Sequence, residues 1–352
     1  MRTLVTVLFV ALLHGVSDSA GIAATPQKEA LLNHRSGQTD GSRMQRVEQA
    51  SPQPAPQLHS AEASTARLVA VTFDDLPAVR AHDLRRMQEK TVRLLDQIAA
   101  LQMPVVGFVN ECKLGEPTAE PGRIALLEQW VDAGHELGNH TYAHPSLYDT
   151  ALPVFEEDVL RGEAITKRLL AERGQEIRYF RHPYLNTGPD LETKTAFEQF
   201  LTGHGYCIAP VTIDSDEYIY ALAYARAEAA ENTGLSARIG RDYVRYMDEM
   251  FVFYEQLSRD LMGREPIQIL LLHANALNAD YLDELAGMMR ARGYEFVTLE
   301  TTLRDAAYTL PDQYAGKSGL SWLQRWWITQ GNDRREEPGV PEWVREVAYS
   351  GT

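Results

Sequence analysis

Beyond Arg67 the chain alternates short apolar runs with amphipathic stretches, and that alternation limits the folds open to it more than any other feature. Strand-like runs occupy 68–73, 104–109, 177–180, 206–213, 267–272 and 294–299, with a shorter one from Gly134 to Gly138. Between them, 83–101, 121–133, 153–173, 190–203, 235–262 and 280–292 carry apolar residues at helical spacing. In the longest, Tyr243, Met247, Met250, Phe251, Tyr254, Leu257 and Leu261 follow steps of three or four, which reads as a core face. Strands that take turns with helices pair in parallel through crossovers. The pattern predicts an α/β fold, an irregular (β/α) barrel of about seven parallel strands.

Residues 1–66 stand apart from this pattern. Met1-Arg2 precede an apolar run from Leu4 to Leu13, and small residues follow around Ser19-Ala20 and Ala23-Ala24. A charged start, a short apolar core and small-residue cleavage sites predict a signal peptide over 1–24, too short to span a bilayer. The mature chain is therefore expected to be exported, periplasmic or secreted, without a stable membrane span. Residues 25–66, with Ser51-Pro-Gln-Pro-Ala-Pro56 at their centre, hold too few large apolar groups to offset ordering entropy and read as a disordered linker. Basic and acidic side chains balance over 1–66, so the formal charge of −15 resides beyond them. That disfavours nucleic acid as a partner. Cys112 and Cys207 are too few for a disulfide scaffold and are expected to be buried thiols, with a disulfide as the lesser alternative.

Each apolar run ends on polar residues. The first, Leu68 to Val71, leads into Thr72-Phe73-Asp74-Asp75. Acids are rarely left unpaired in a core, so two carboxylates here read as charge delivered to a rim. On an extended backbone they face opposite ways and can take different roles, one holding a metal while the other moves a proton. His140-Thr-Tyr-Ala-His144 follows the short run, and the four-residue spacing suggests one face of a helical turn on which both imidazoles reach one ion. Arg181-His-Pro-Tyr184 follows 177–180, Asp214-Ser-Asp-Glu217-Tyr218 follows 206–213, and His273 closes 267–272. All lie at the strand ends on which barrel enzymes build their sites.

These clusters, in this order, resemble the polysaccharide deacetylases of carbohydrate esterase family four, with the NodB-homology domain, over residues 67–305. The resemblance implies Asp74 as general base, and Asp75, His140 and His144 as ligands of a divalent metal, zinc first, with cobalt, nickel or manganese as alternatives. It implies Arg181 as the group orienting the base and the Tyr184 backbone amide as an oxyanion donor. Leu271 would meet the acetyl methyl, and His273 would be the acid. The sequence departs from the family where Leu76 and Leu185 replace glycines, Glu217-Tyr218 replaces Asp-Trp, and Ala274 replaces an Asp. Glu217 and Tyr218 are carried over as catalytic and substrate-binding residues, with Asp214 and Asp216 as other candidates for supporting His273.

The expected function is metal-dependent removal of acetyl groups, N-linked before O-linked, from an acetylated glycan. Hydrolysis of another small or cyclic amide and an inactive glycan-binding protein are the alternatives. Residues 306–352 form a C-terminal extension in which Trp322, Trp326 and Trp327 are expected to pack onto the barrel rather than form a sugar platform. The charged segment after Gly331 reads as loosely ordered, and nothing in the sequence sets the oligomeric state.

Overall fold

Strand β1 (Arg67–Leu76) is buried along most of its length, because Val69, Ala70, Val71 and Phe73 supply apolar groups to both faces. It pairs with three others in a seven-stranded parallel sheet in the computed structural model, which describes residues 66–79, 83–115 and 118–350. The strands are β2 (Val105–Val109), β3 (Glu136–Asn139), β4 (Tyr179–Phe180), β5 (Cys207–Ile208), β6 (Gln268–His273) and β7 (Tyr294–Phe296). The order is β5-β4-β3-β2-β1-β6, with β7 paired to the start of β1.

The segment after β5 curls this sheet toward a barrel. The Ala209 amide donates to Phe180 of β4, while Thr212 and Ile213 donate to Ile269 and Ile213 accepts from Leu271 of β6. One irregular stretch that continues β5 therefore bonds to β4 on one side and to β6, the other end of the order, on the other, as a curled sheet requires. Regular pairing is confined to Cys207–Ile208, so the expected strand over 206–213 is only partly regular.

The crossovers are helical. They are α1 (Leu84–Leu101), α2 (Pro121–Asp132), α3 (Leu152–Arg161), α4 (Ala164–Ala171), α5 (Leu191–Gly203), α6 (Glu217–Ala229), α7 (Thr233–Met262) and α8 (Ala276–Ala291). All seven residues of the α7 stripe are buried. The helix expected over 153–173 is broken at Gly162, and the reason is close packing. A Cβ there would lie 2.4 Å from the Thr141 carbonyl carbon, so the break lets the backbone approach the loop that carries the histidines. Helix α6 was not expected, because its apolar groups are spread around its circumference where α7, α8 and a C-terminal helix cover it. Only 294–296 of the expected last strand pairs, and a short helix α9 (Leu299–Thr302) begins where Thr298 caps it.

The C-terminal residues are part of the same compact unit as the barrel. Helix α10 (Trp322–Thr329) buries Trp322 and Trp326 and leaves Trp327 half-buried. The segment after Gly331 is not loose. It ends in α11 (Glu342–Tyr349), which buries Val344 and Ala348 against α6. Cys112 is half-buried and Cys207 exposed, a correction for Cys207 that follows from its place on the outermost strand of the path. Both are thiols. The readings of a signal peptide over 1–24 and a linker over 25–66 lie outside the described residues. Among the described residues no helix is long and apolar enough to cross a membrane.

Candidate active site

Asp74 and His273 are register partners on the adjacent strands β1 and β6, at the ends where the polar clusters gather. Asp74 is buried beside Arg181, whose Nη1 stands 3.3 and 3.4 Å from its two carboxylate oxygens. The guanidinium is committed elsewhere as well: Nε donates to Ala209 O at 2.8 Å and Nη2 to Thr72 Oγ1 at 3.1 Å, with Phe108 beneath its plane. Among the described residues Asp74 thus accepts only this one long, shared hydrogen bond, and His140 Nε2 lies 3.7 Å from its Oδ2. Burial outweighs the Arg181 charge and pushes the carboxyl up to about 6.

Asp75 faces other surroundings, though not through the strand pleat. Its φ is 71°, so the backbone leaves the extended conformation at this residue and the β1–β2 register breaks there. Its Oδ1 lies 2.7 Å from Lys113 Nζ and 3.9 Å from His144 Nε2. Burial works to raise its carboxyl, but the Lys113 charge, helped by His273, His144 and His140, holds it well below the usual carboxylate range.

The two histidines are not on a helical turn. His140 follows β3 directly, and the chain then turns through Thr141 at φ 67° to His144 at φ 60°. Thr141 Oγ1 accepts from the His144 amide at 3.0 Å, and Asn139 Oδ1 accepts from the Thr141 amide at 2.7 Å. These bonds build the turn that the spacing suggested a helix would supply. The rings meet edge to face with centroids 4.7 Å apart. His140 Nδ1 donates to the Arg181 carbonyl at 2.8 Å, which fixes the tautomer and leaves Nε2 as a lone-pair donor. Burial foremost holds both imidazoles below their ordinary value, the neutral form a ligand needs.

Ligand atoms of Asp75, His140 and His144 all lie within 4.8 Å of one another. One carboxylate and two neutral imidazoles, one oriented by a second hydrogen bond, are a donor set that fits a divalent ion such as zinc.

On the opposite flank, His273 Nδ1 is 2.7 Å from Glu217 Oε2. The other carboxylate oxygen, Oε1, accepts from the side-chain amides of Asn275 and of Asn278, the latter at 2.9 Å. Of the three acids in 214–217 it is Glu217 that touches the histidine. Asp214 accepts from the Ser215 amide and Asp216 from Arg345. Burial works to lower His273, but the charge and hydrogen bond of Glu217 push it up to about 9.

The remaining candidates are distributed around this centre. Tyr184 is 62% exposed with its ring against His144, centroids 4.4 Å apart. Tyr218 is 50% exposed beside Glu217 at the start of α6. Leu271 is buried two residues before His273, on the same face of β6. Sequence reasoning gave no role to Lys113, Thr72, Asn275 or Asn278. The asparagines carried a signal, since Asn275 caps α8 by accepting from the Asn278 amide. Lys113, in a single 3-10 turn from Glu111 to Leu114, carried none.

Residues 61–199 match the model of the polysaccharide deacetylase family. The chain is 24% identical over 237 residues to a peptidoglycan-N-acetylglucosamine deacetylase of Bacillus cereus, covering 66% of each protein. It is 25% identical over 241 residues to a chitin deacetylase of Colletotrichum lindemuthianum, covering 68% of this chain and 80% of that one. The chain thus spans about two thirds of the bacterial relative's length. A solved structure of the fungal chitin deacetylase superposes with a TM-score of 0.46 at 24% identity, covering 69% of this chain and 90% of the other.

Proposed function

We propose that this chain, a member of the polysaccharide deacetylase family, hydrolyses acetyl groups, N-linked in the first place, from a cell-envelope or environmental glycan. The observation that carries the reading is the pairing of two tuned groups around one donor cluster. Asp74, raised to about 6, and His273, raised to about 9, sit on adjacent strands beside Asp75, His140 and His144. At neutral pH the first can accept a proton and the second can give one. Binding alone needs no such division.

A divalent ion held by Asp75, His140 and His144 would act as a Lewis acid and make water more acidic. Asp74 takes the proton of the attacking water, held in orientation by Arg181. The backbone amide of Tyr184 donates to the oxygen that becomes negative in the tetrahedral state. His273 then protonates the departing nitrogen through Nε2, since Nδ1 is engaged by Glu217. Leu271 meets the acetyl methyl, and the exposed rings of Tyr184 and Tyr218 offer faces to the sugar.

The test is acetate release from chitin oligomers, peptidoglycan and acetylated xylan, with and without a chelator. Release from an N-acetylated substrate that chelation abolishes and added zinc restores is the expected result. Undiminished turnover in metal-free protein would overturn the metal-dependent reading. Lys113 offers a second check, because its ammonium competes with any cation for Asp75 Oδ1. A unit charge and a dication about 4 Å apart near a surface repel by about 8 kcal/mol, most of which the flexible lysine relieves by swinging away. Lys113→Gln is expected to tighten zinc binding about tenfold at pH 8, read by calorimetric titration. Unchanged affinity would show that Lys113 leaves the site without cost.

A further inference from the structure

We infer that the C-terminal segment from Asp312 to Arg325 is a clamp that positions the Tyr184 backbone, so that residues outside the family match set the oxyanion donor. This rests on the hydrolytic reading above. The loop to be held is strained. Tyr184 and Leu185 both have φ in the left-handed region, 55° and 52°, a conformation that a side-chain-bearing residue keeps only when its surroundings hold it.

What holds it comes from the far end of the chain. Asn186 Nδ2 donates to the carbonyls of Gly316 and Lys317, each at 3.0 Å, and the Gly316 amide donates to Gly188 O at 3.0 Å. Arg325 is fully buried, with Nη2 donating to Thr187 Oγ1 at 2.6 Å and Nη1 to Leu185 O at 3.4 Å. Its charge is balanced by Asp312 at 2.7 Å, within the same segment. Gly319 completes the clamp by lacking a side chain: a Cβ there would lie 1.6 Å from the Tyr184 carbonyl oxygen. A buried, paired guanidinium and a glycine seated on the peptide leave the Tyr184 backbone little freedom.

An amide aimed at a developing oxyanion acts in the transition state and little in the ground state, so its displacement lowers kcat and spares KM. The full chain carrying Gly319→Ala should fold and bind zinc with wild-type affinity. Its kcat on an acetylated chitin oligomer should fall about hundredfold with KM nearly unchanged. Thr187→Val removes one clamp bond at nearly constant shape and should lower kcat roughly tenfold, while Thr187→Ser restores it. A purely structural segment would instead lower the thermal midpoint and leave kcat per folded molecule intact, which overturns the inference. If Gly319→Ala does not fold, the threonine pair decides: Thr187→Val at wild-type turnover overturns the clamp, and loss with serine rescue supports it. Should the wild-type chain release no acetate, the hydrolytic reading itself falls. A turning-over wild type with unaffected variants sinks only the clamp.

Discussion

Asp74→Asn is expected to bind zinc near one equivalent while turnover falls by about two to four orders of magnitude, the usual weight of a positioned general base. Asparagine keeps the size and polarity of the side chain but cannot accept a proton. The ion should stay because Asp74 is turned to Arg181, whereas Asp75 shares its cluster with the two histidines. Asp75→Asn should fail differently. It removes the anionic ligand, so zinc affinity drops first and excess zinc recovers part of the activity. Metal content and turnover measured on both variants decide the assignment. Loss of metal from Asp74→Asn, with metal and activity intact in Asp75→Asn, would reverse it. The wild-type pH profile gives an independent sign. A base must be ionised, so kcat should decline as pH falls through about 6, and a cation bound beside Asp74 moves that limb lower.

The parts of this molecule that were legible in the sequence are those set by local periodicity. Apolar runs with polar ends marked the strands and the face on which the site lies, and the stripe from Tyr243 to Leu261 marked α7. What escaped depends on tertiary contact. Helix α6 is covered from several sides, so it has no apolar stripe to read. The break at Gly162 exists because the His140–His144 loop passes against it. The histidine spacing marked two rings that do meet, but backbone amides donating to the Asn139 and Thr141 side chains, not a helix, bring them together. The separation of Asp74 from Asp75 was likewise expected from the pleat, yet a left-handed residue achieves it. The choice among Asp214, Asp216 and Glu217 required knowing that Asn275 and Asn278 hold one oxygen of Glu217.

That last arrangement makes Glu217→Gln the most informative change on the acid side, with turnover at pH 8 expected to fall about hundredfold. In the native chain Glu217 Oε2 accepts from His273 Nδ1, and the charge keeps the imidazole protonated up to about 9. A raised pKa means that the acid is available below that value and lost as pH climbs through it. A dication at the neighbouring site moves this alkaline limb down from 9. In the variant the two asparagine amides still demand an oxygen at the Oε1 position, so the glutamine must turn its NH2 toward Nδ1. An NH2 there donates to Nδ1 and opposes its protonation, so His273 is neutral at pH 8 and gives up no proton to the leaving nitrogen. The alkaline limb should therefore move to below about 6.5, the ordinary imidazole value, and part of the lost turnover should return as pH is lowered toward 6. Recovery is bounded from below by Asp74, which must stay ionised. Zinc should still bind, because Glu217 bonds His273 and the two asparagines, none of which belongs to the donor cluster, and loss of the imidazolium charge near Asp75 favours the cation. A variant whose alkaline limb coincides with that of the wild type would show that Glu217 positions the ring without governing its proton.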